Sequence, residues 1–210
     1  MTMENELKLI GGALVTLALA TAAMILVPFL QLKHVAAPEG LAPYSAAEAR
    51  GREIYIGNGC IACHSQQPSS TGAGRADARR GWGRPSVAAD YTYDDPPLLG
   101  TMRTGPDLFN IGVRQPSVDW HLGHLYQPRA YVKGSIMPAF PFLFALREFD
   151  EVGRDDRVVA LPPGVEPPGK KVIATQDALD LVAYLVALKH TYPVLAPDAS
   201  AAAEPKKAAP

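Results

Sequence analysis

The chain has 210 residues and a formal net charge of −1, from 20 basic and 21 acidic side chains. This length allows one core of ordinary size with extra segments around it, and argues against a second full domain. The balanced charge gives no general electrostatic reason for binding nucleic acid, so we expect no nucleic-acid partner. Proline and glycine, at 20 and 18 residues, predict that long loops separate the regular elements.

An uncharged apolar run from Leu9 to Leu32 predicts a transmembrane helix. At about 1.5 Å per residue it would be roughly 36 Å long, enough to cross a hydrocarbon core of about 30 Å. A cleaved signal peptide is the competing interpretation, but acidic residues precede the run, and it extends well past the alanines that could mimic a cleavage site. We therefore predict an anchor in membrane lipid at residues 9–32, between a short N-terminus at 1–8 and a linker at 33–44. A lysine at each end of the run leaves its orientation open.

The segments after the linker predict a mainly α-helical domain. Ser45 and Glu48 have the spacing of a capping box, so a helix should begin there. A second helix should follow Thr175, where apolar residues recur at helical spacing, and the small residues of the first helix would let the two pack closely. Ser117 should cap a short helix, whereas the proline-rich stretch 152–171 should be irregular or a hairpin.

The two ends of the chain carry further local signals. Pro28 lies in the last turns of the apolar run and should bend the helix near its exit. The tail at 196–210 consists mostly of Ala, Pro and Lys and is expected to be disordered. The globular domain is therefore expected between residues 45 and 195.

The most specific signal is the pentapeptide Cys60, Ile61, Ala62, Cys63 and His64, which has the form C-x-x-C-H. In this motif the two thiols form thioether bonds to a haem, and the adjacent imidazole coordinates its iron. A redox-active dithiol is disfavoured, because the strand, turn and helix of a thioredoxin-like site do not surround the motif. A zinc site is also disfavoured, because no further cysteine exists to complete four ligands. We therefore predict one covalently attached haem c and its iron.

A low-spin haem that transfers electrons needs a sixth iron ligand, and a methionine thioether is a suitable soft donor. Met137 is the preferred candidate, because Pro138 stiffens its loop, and Phe140 and Phe142 can wall an apolar pocket. Most methionines are ordinary core residues, which is the simpler alternative for this one.

Three other residues compete for the sixth position. Met102 is the weaker methionine, because an arginine follows it and it has no apolar flank. His121 and His124 lie three apart on the predicted short helix, so they would share a face and could supply an iron ligand or a separate metal site. Such a pair is more often a surface or interface feature.

The turn formed by Gly105, Pro106 and Asp107 is a candidate for orienting His64. A metal-bound imidazole usually donates its other ring N–H to a carbonyl or carboxylate, which fixes the ring. The rigid backbone carbonyl of Pro106 could accept that bond. The alternative is an ordinary surface turn. Four aromatic residues are further candidates for packing against the haem or a neighbouring subunit: Trp82, Tyr91, Tyr93 and Trp120.

Together these motifs resemble the class I cytochrome c fold over residues 45–190, in which Met137 and Pro106 fall at the axial ligand and the histidine-orienting carbonyl. More narrowly, the chain resembles the mono-haem subunit of cbb(3)-type cytochrome c oxidases, the FixO/CcoO family, over nearly its whole length except the tail. The expected fold is therefore mainly α, with one transmembrane helix followed by a class I cytochrome c domain with long loop insertions. The matching stretches are Gly51–Gln67, Tyr91–Arg114, Asp119–Arg129 and Ser135–Leu143.

The resemblance implies an electron-transfer subunit of a haem-copper terminal oxidase. Electrons would arrive from a di-haem cytochrome c subunit or a soluble cytochrome c and pass to haem b of the catalytic subunit, where oxygen is reduced to water. Because haem c is attached outside the cytoplasmic membrane, the domain at 45–195 should be periplasmic and residues 1–8 cytoplasmic. The chain would cross a bacterial inner membrane once, as a redox subunit rather than the catalytic one.

Two other interpretations share parts of this pattern. A cytochrome c subunit of a nitric oxide reductase, or a free-standing membrane-anchored cytochrome c, would have the same anchor and the same haem motif. A protein without haem, in which Cys60 and Cys63 are merely structural or form a thiol module, would share only the cysteines.

Overall fold

The first unit of the structure, Met1–Ala37, is built around one long apolar helix. The computed structural model describes residues 3–69 and 74–194. Helix α1 spans Met3–Leu32, 30 residues, and is long and apolar enough to cross a membrane. None of its side chains is buried. The anchor predicted at 9–32 lies within this helix.

The hydrogen bonding of α1 changes next to Pro28. Ala22–Leu26 forms a π-helical turn, and the backbone N–H of Val27 donates to the carbonyl of Ala22, five residues back. Proline has no N–H to donate, and its ring crowds the carbonyl four residues earlier. A wider turn immediately before the proline relieves this crowding. The bend expected from Pro28 itself stays a prediction.

The second unit, Pro38–Pro210, is mainly helical, as predicted. Single 3₁₀ turns lie at Cys60–Ala62, Ala88–Tyr91, Pro141–Leu143 and Phe149–Glu151. The helices are α2 (Ala46–Gly57), α3 (Gly74–Arg79), α4 (Ile111–Arg114), α5 (Val118–Tyr126), α6 (Pro128–Tyr131) and α7 (Gln176–Ala187), and the strands are β1 (Phe144–Glu148) and β2 (Lys170–Ala174). The tail predicted at 196–210 lies outside the described residues.

All three predicted helix starts are confirmed. The hydroxyl of Ser45 accepts a hydrogen bond from the N–H of Glu48, and the Glu48 carboxylate accepts one in return from the N–H of Ser45 at 2.7 Å. Thr175 and Ser117 cap α7 and α5 in the same way, each accepting from the N–H three residues on. These caps satisfy N–H groups that have no partner inside their helices.

Helices α2 and α7 approach closely where they cross. A side chain at position 51 would collide with the backbone carbonyl of Asp180, so the glycine there permits the contact. One turn on, the ring centroids of Tyr55 and Tyr184 lie 5.5 Å apart. The guanidinium of Arg50 donates to the carboxylate of Asp180 at 2.6 Å. The crossing therefore fixes the end of α2, and the cysteine motif that follows it, against α7.

Strands β1 and β2 form an antiparallel hairpin, in which Phe144 pairs with Ala174 and Glu148 with Lys170. The proline-rich stretch 152–171, predicted to be irregular or a hairpin, forms most of the long connection between these strands, and its last two residues belong to β2. It returns to the sheet at one point, where Val158 bridges to β2. Thr175 follows β2 directly and donates through its hydroxyl to the carbonyl of Leu143 at 2.7 Å, which ties the hairpin to the start of α7.

The core of this unit is apolar and lies where α2, α5, α7 and the hairpin meet. The short helix α3 has no counterpart among the helices expected from the sequence, and residues 70–73, which precede it, lie outside the described part. The most completely buried apolar side chains include those of Tyr55, Phe109, Leu122, Leu181, Val182, Tyr184 and Leu188.

Candidate haem site

The cysteine motif forms a tight turn at the end of α2. Gly59 adopts a left-handed conformation with φ of 68°, which lets the chain leave the helix and enter the 3₁₀ turn Cys60–Ala62. The backbone N–H groups of Cys63 and His64 both donate to the carbonyl of Cys60, at 3.1 and 3.0 Å. The turn thus holds both thiols and the imidazole in one short, hydrogen-bonded segment.

A cavity of about 750 Å³ opens beside this turn. Its volume lies in the range of about 300 to 1,000 Å³ that is usual for small-molecule and cofactor sites. Cys60, Cys63 and His64 all line it, and so does Met137. The remaining lining is mainly apolar and includes Leu108, Ile111, Trp120, Leu125, Phe140 and Leu185.

The imidazole of His64 is fixed by the turn at positions 105 and 106. Its Nδ1 lies 2.8 Å from the carbonyl oxygen of Pro106, the contact considered from the sequence. Gly105 packs against the ring so closely that any side chain there would overlap the imidazole. Burial lowers the pKa of His64, although the Pro106 carbonyl opposes the shift. A neutral ring that donates from Nδ1 leaves Nε2 unprotonated, which is the form that binds a metal ion.

The backbone after His64 is held by a buried polar frame. Ser65 donates through its hydroxyl to the Asp107 carboxylate at 2.6 Å, and the N–H of Gln67 donates to the same carboxylate at 2.8 Å. Arg103 donates to the Ser65 hydroxyl at 3.1 Å and to the Gln67 carbonyl at 2.7 Å. The guanidinium of Arg103 also lies 2.9 Å from the carboxylate of Asp77, which is almost fully buried. This frame joins α3 and the 103–107 segment to the motif.

The two candidate methionines have different surroundings. Met137 is half-buried, packs at the edge of the core and lines the cavity. Met102 is 55% exposed and does not line the cavity. Phe140 lines the cavity as expected, but Phe142 is 66% exposed and contacts Phe140 from outside, so only one of the two phenylalanines walls the site.

His121 and His124 both line the cavity, but their ring nitrogens differ. Nε2 of His121 lies 2.8 Å from the carbonyl of Gln115, so this nitrogen already has a hydrogen-bond partner. The His124 ring stacks on Trp120, with centroids 4.4 Å apart and an interplanar angle of 9°. Its Nδ1 is buried and has no hydrogen-bond partner in the described ranges, 3–69 and 74–194.

The four aromatic candidates separate into different roles. Trp120 lines the cavity. Trp82 is buried, and the guanidinium of Arg103 lies 5.4 Å from its ring centroid, so it packs on the polar frame. Tyr91 donates to the carbonyl of Gln66 at 2.7 Å. Tyr93 is 43% exposed.

The cysteines do not have the properties of a reactive dithiol. They are not disulfide-bonded, and Cys60 is half-buried while Cys63 is exposed. Burial raises the pKa of the Cys60 thiol to about 11, which disfavours the thiolate. Redox-active and nucleophilic cysteines instead depend on a lowered pKa. The donor set at the cavity, two thiols, a neutral imidazole and a thioether, fits a haem with thioether attachment and two axial ligands.

A comparison with protein-family models decides the family. The model described as cytochrome c oxidase, mono-heme subunit/FixO matches residues 1–166. The chain belongs to this family of mono-haem cytochrome c oxidase subunits. A comparison with curated proteins found no match. The FixO match covers the anchor, the cysteine motif, Pro106 and Met137, whereas β2 and α7 lie beyond it.

Sequence reasoning missed three features of the site in this FixO-family chain. The close packing of Gly105 on His64 depends on a turn that arrives from 41 positions later in the chain. Arg103 and Asp77 are ordinary charged residues in the sequence, and only the fold brings the partly exposed Arg103 guanidinium to the buried Asp77 carboxylate. The burial of His124 Nδ1 without a hydrogen-bond partner in the described ranges depends on how the fold surrounds the ring. Local patterns carry no signal for such long-range pairs.

Proposed function

We propose that this FixO-family chain attaches one haem through thioether bonds from Cys60 and Cys63, with His64 and Met137 as the axial iron ligands. The observation that carries the proposal is that all four donors line one mainly apolar cavity of about 750 Å³. The domain would then be a class I cytochrome c domain with long loop insertions. When bound, the haem supplies reversible one-electron transfer.

The protein's own residues would set the conditions for that transfer. The Pro106 carbonyl and Gly105 hold the His64 ring in one orientation, so little rearrangement is needed when the iron changes its oxidation state. The mainly apolar lining would surround the haem with a medium less polar than water, which would raise the cost of the charged ferric state and favour a higher reduction potential. A thioether from Met137 would act in the same direction.

The apolar helix and the haem chemistry together suggest on which side of the membrane each part of the chain lies. Haem c is attached outside the cytoplasmic membrane, so residues 45–195 would be periplasmic and residues 1–8 cytoplasmic. Residues 9–32 would cross the inner membrane once, and 33–44 would link the two parts. Helix α1 supports this arrangement by its length and its apolar composition.

The partners follow from the oxidase assignment. As a subunit of a cbb(3)-type oxidase, the chain would take electrons from a di-haem cytochrome c subunit or a soluble cytochrome c. It would pass them to haem b of the catalytic haem-copper subunit, where oxygen is reduced. The chain would therefore act as a redox relay, and none of its own residues would contact oxygen.

Copurification from membranes tests this function. A tagged chain, expressed in a host that matures c-type cytochromes, should bring down a multi-span haem-copper subunit and consume oxygen when an electron donor is supplied. The variant His64→Ala should abolish oxygen uptake, whereas His34→Ala, at an exposed position in the linker, should not. A partner that reduces nitric oxide but not oxygen, or no partner at all, would contradict the oxidase assignment and favour the two alternatives.

A further inference from the structure

The loop formed by residues 94–100 lies within the part of the chain that the FixO model matches, yet the proposed haem ligands give it no role. Its last residue packs on the backbone of the cysteine motif. A Cβ atom at position 100 would lie 2.8 Å from the carbonyl oxygen of His64 and 2.8 Å from the Cα of Ser65. Non-bonded atoms do not approach so closely, so the loop and the His64 backbone meet at a distance that only glycine permits.

Gly100 also has a backbone conformation that favours glycine. Its φ of 69° lies in the left-handed region, which residues with a side chain rarely adopt. Position 100 therefore has two separate reasons to be glycine, the left-handed conformation and the contact with His64. The chain offers a means to separate them, because Gly164 has a similar φ of 82° and no atom within 4 Å of the place where a Cβ would lie.

Hydrogen bonds hold the backbone after His64 against this loop. The N–H of Gln66 donates to the carbonyl of Leu99 at 2.8 Å. The hydroxyl of Tyr91 donates to the carbonyl of Gln66 at 2.7 Å. Both backbone groups of Gln66 are thus bonded to the 91–99 segment, so the His64 backbone cannot move away from Gly100 without straining these bonds.

The other end of the 94–100 loop is anchored on α2, the helix that leads into the cysteine motif. The guanidinium of Arg52 donates to the backbone carbonyls of Asp95 and Pro96. It also lies 3.3 Å from the carboxylate of Asp94, and both side chains of this pair are 7% exposed. The loop therefore connects a buried arginine in the middle of α2 to the backbone of His64.

A second segment, the turn at 105–108, holds the neighbouring backbone groups. The N–H of Gly105 donates to the carbonyl of Cys63 at 2.9 Å, and the N–H of Leu108 donates to the carbonyl of Ser65 at 2.8 Å. The turn thus fixes the carbonyls before and after that of His64, while the 94–100 loop packs on the His64 carbonyl itself. Two segments far apart from the motif in the sequence restrain the same three residues.

We propose that Gly100 is a positioning residue for the axial ligand His64, because its contact with the His64 backbone sets the point from which the imidazole reaches the iron. This inference rests on the proposed function, since it requires His64 to bind haem iron. The Pro106 carbonyl fixes one edge of the ring, but the tilt of the ring also depends on where its backbone lies. Groups that orient a metal ligand without touching the metal influence the strength of the ligand bond.

Gly100→Ala in the full-length, haem-loaded protein in detergent tests the proposal. The added methyl group would displace the His64 backbone, so the electron paramagnetic resonance g-values of the low-spin ferric haem should shift and part of the low-spin signal should be lost. Haem staining of the denatured protein should not change, because both cysteines remain. Gly164→Ala is the matched control: it strains a left-handed residue in open space and should lower thermal stability without changing the g-values.

A second variant acts at the other end of the loop and decides the question if Gly100→Ala does not fold. Arg52→Lys keeps a cation beside Asp94 but loses the planar guanidinium that reaches both backbone carbonyls. The loop should loosen, and the g-values should shift or broaden. Arg147→Lys, at a position on β1 whose side chain is 46% exposed, should leave the signal unchanged.

The outcomes separate this inference from the function on which it rests. If the wild type has covalent haem and a low-spin signal, but Gly100→Ala keeps the wild-type g-values, the inference is wrong and the function stands. An equal change in Gly164→Ala would also overturn it, because backbone strain alone would then explain the effect. If only Arg52→Lys folds, unchanged g-values in that variant overturn the inference. A wild type without covalent haem means that the proposed function has failed, and the inference fails with it.

Discussion

The imidazole of His64 packs directly on Gly105 and occupies the space that a side chain at position 105 would fill. The same turn presents the Pro106 carbonyl to Nδ1 at 2.8 Å. One turn therefore restrains both the face and the edge of the ring. If His64 is the axial ligand, the position of its ring in this chain depends on a residue that has no side chain.

Gly105→Ala should displace His64 and weaken its bond to iron without preventing covalent attachment. The added methyl group would overlap the ring, and relieving such an overlap typically costs about 1–3 kcal/mol. The denatured protein should still stain for haem, because Cys60 and Cys63 are untouched. The native spectrum should show partial loss of the low-spin form. Gly153→Ala is the matched control, since its neighbours lie at ordinary contact distance, and an equal spectral change there would refute the explanation.

Met137→Ala should remove the thioether ligand and lower the midpoint potential, because a thioether stabilises the reduced iron. The weak near-infrared absorption of the ferric protein should disappear. Met102→Ala removes a methionine that is 55% exposed and should leave both properties unchanged. If the Met137 variant kept the wild-type spectrum, the sixth ligand would have to be sought at His121, His124 or Met102.

Arg103→Met should destabilise the folded chain strongly. It would leave the buried Asp77 carboxylate without its closest cation and would remove donors to Ser65 and Gln67. The Arg103 side chain is 30% exposed, but the Asp77 carboxylate is buried, and leaving a buried polar group without its partner typically costs about 1–3 kcal/mol. Arg157→Met breaks a 2.6 Å pair with Asp119 in which both side chains are about half exposed, and it should cost less than about 1 kcal/mol. Thermal unfolding in detergent compares the two, and equal losses would contradict the buried frame.

Stability should fall as the pH drops below about 6.5, partly because of His190. Burial lowers the pKa of His190 from 6.5; the Phe109 carbonyl, Asp90 and Asp94 oppose this shift and Arg84 adds to it. The unfolded chain therefore takes up a proton near pH 6.5 that the folded chain does not, so acid favours unfolding.

The measurement for this prediction is the unfolding midpoint as a function of pH. The slope between about pH 6.5 and 5 should be smaller in His190→Gln than in the wild type. His34→Gln replaces an exposed histidine in the linker and should leave the slope unchanged. Equal slopes in the wild type and His190→Gln would show that His190 contributes nothing to the pH dependence.

Features that depend on neighbouring residues could be predicted from the sequence. The capping box at Ser45 and the caps at Ser117 and Thr175 need only three or four residues, and all were confirmed. The close α2–α7 crossing was also predictable, because Gly51 lies on a face of small residues. The helix α3 was missed, since its small and charged residues have no apolar period, and its buried Asp77 is stabilised from outside by Arg103.

The site residues divide in the same way, into those that local sequence predicts and those whose contacts depend on the fold. The spacing of Cys60, Cys63 and His64 predicts haem attachment and iron ligation, because both need only residues that are close together in the sequence. The choice between Met137 and Met102 could be argued from flanking residues, and the structure adds that only Met137 lines the cavity. The stacking of His124 on Trp120 follows from their i,i+4 spacing on α5, and Gln115 lies only six residues before His121. The spacing alone does not indicate which ring nitrogen finds a hydrogen-bond partner.

The central claim is that a haem is joined to this polypeptide through Cys60 and Cys63. Mass spectrometry of the denatured chain, matured in a host that makes c-type cytochromes, tests it most directly. The wild type should carry the added mass of one haem on the peptide that contains both cysteines, and a Cys60→Ala, Cys63→Ala double variant should carry none. An unmodified wild-type peptide after such maturation would contradict the account.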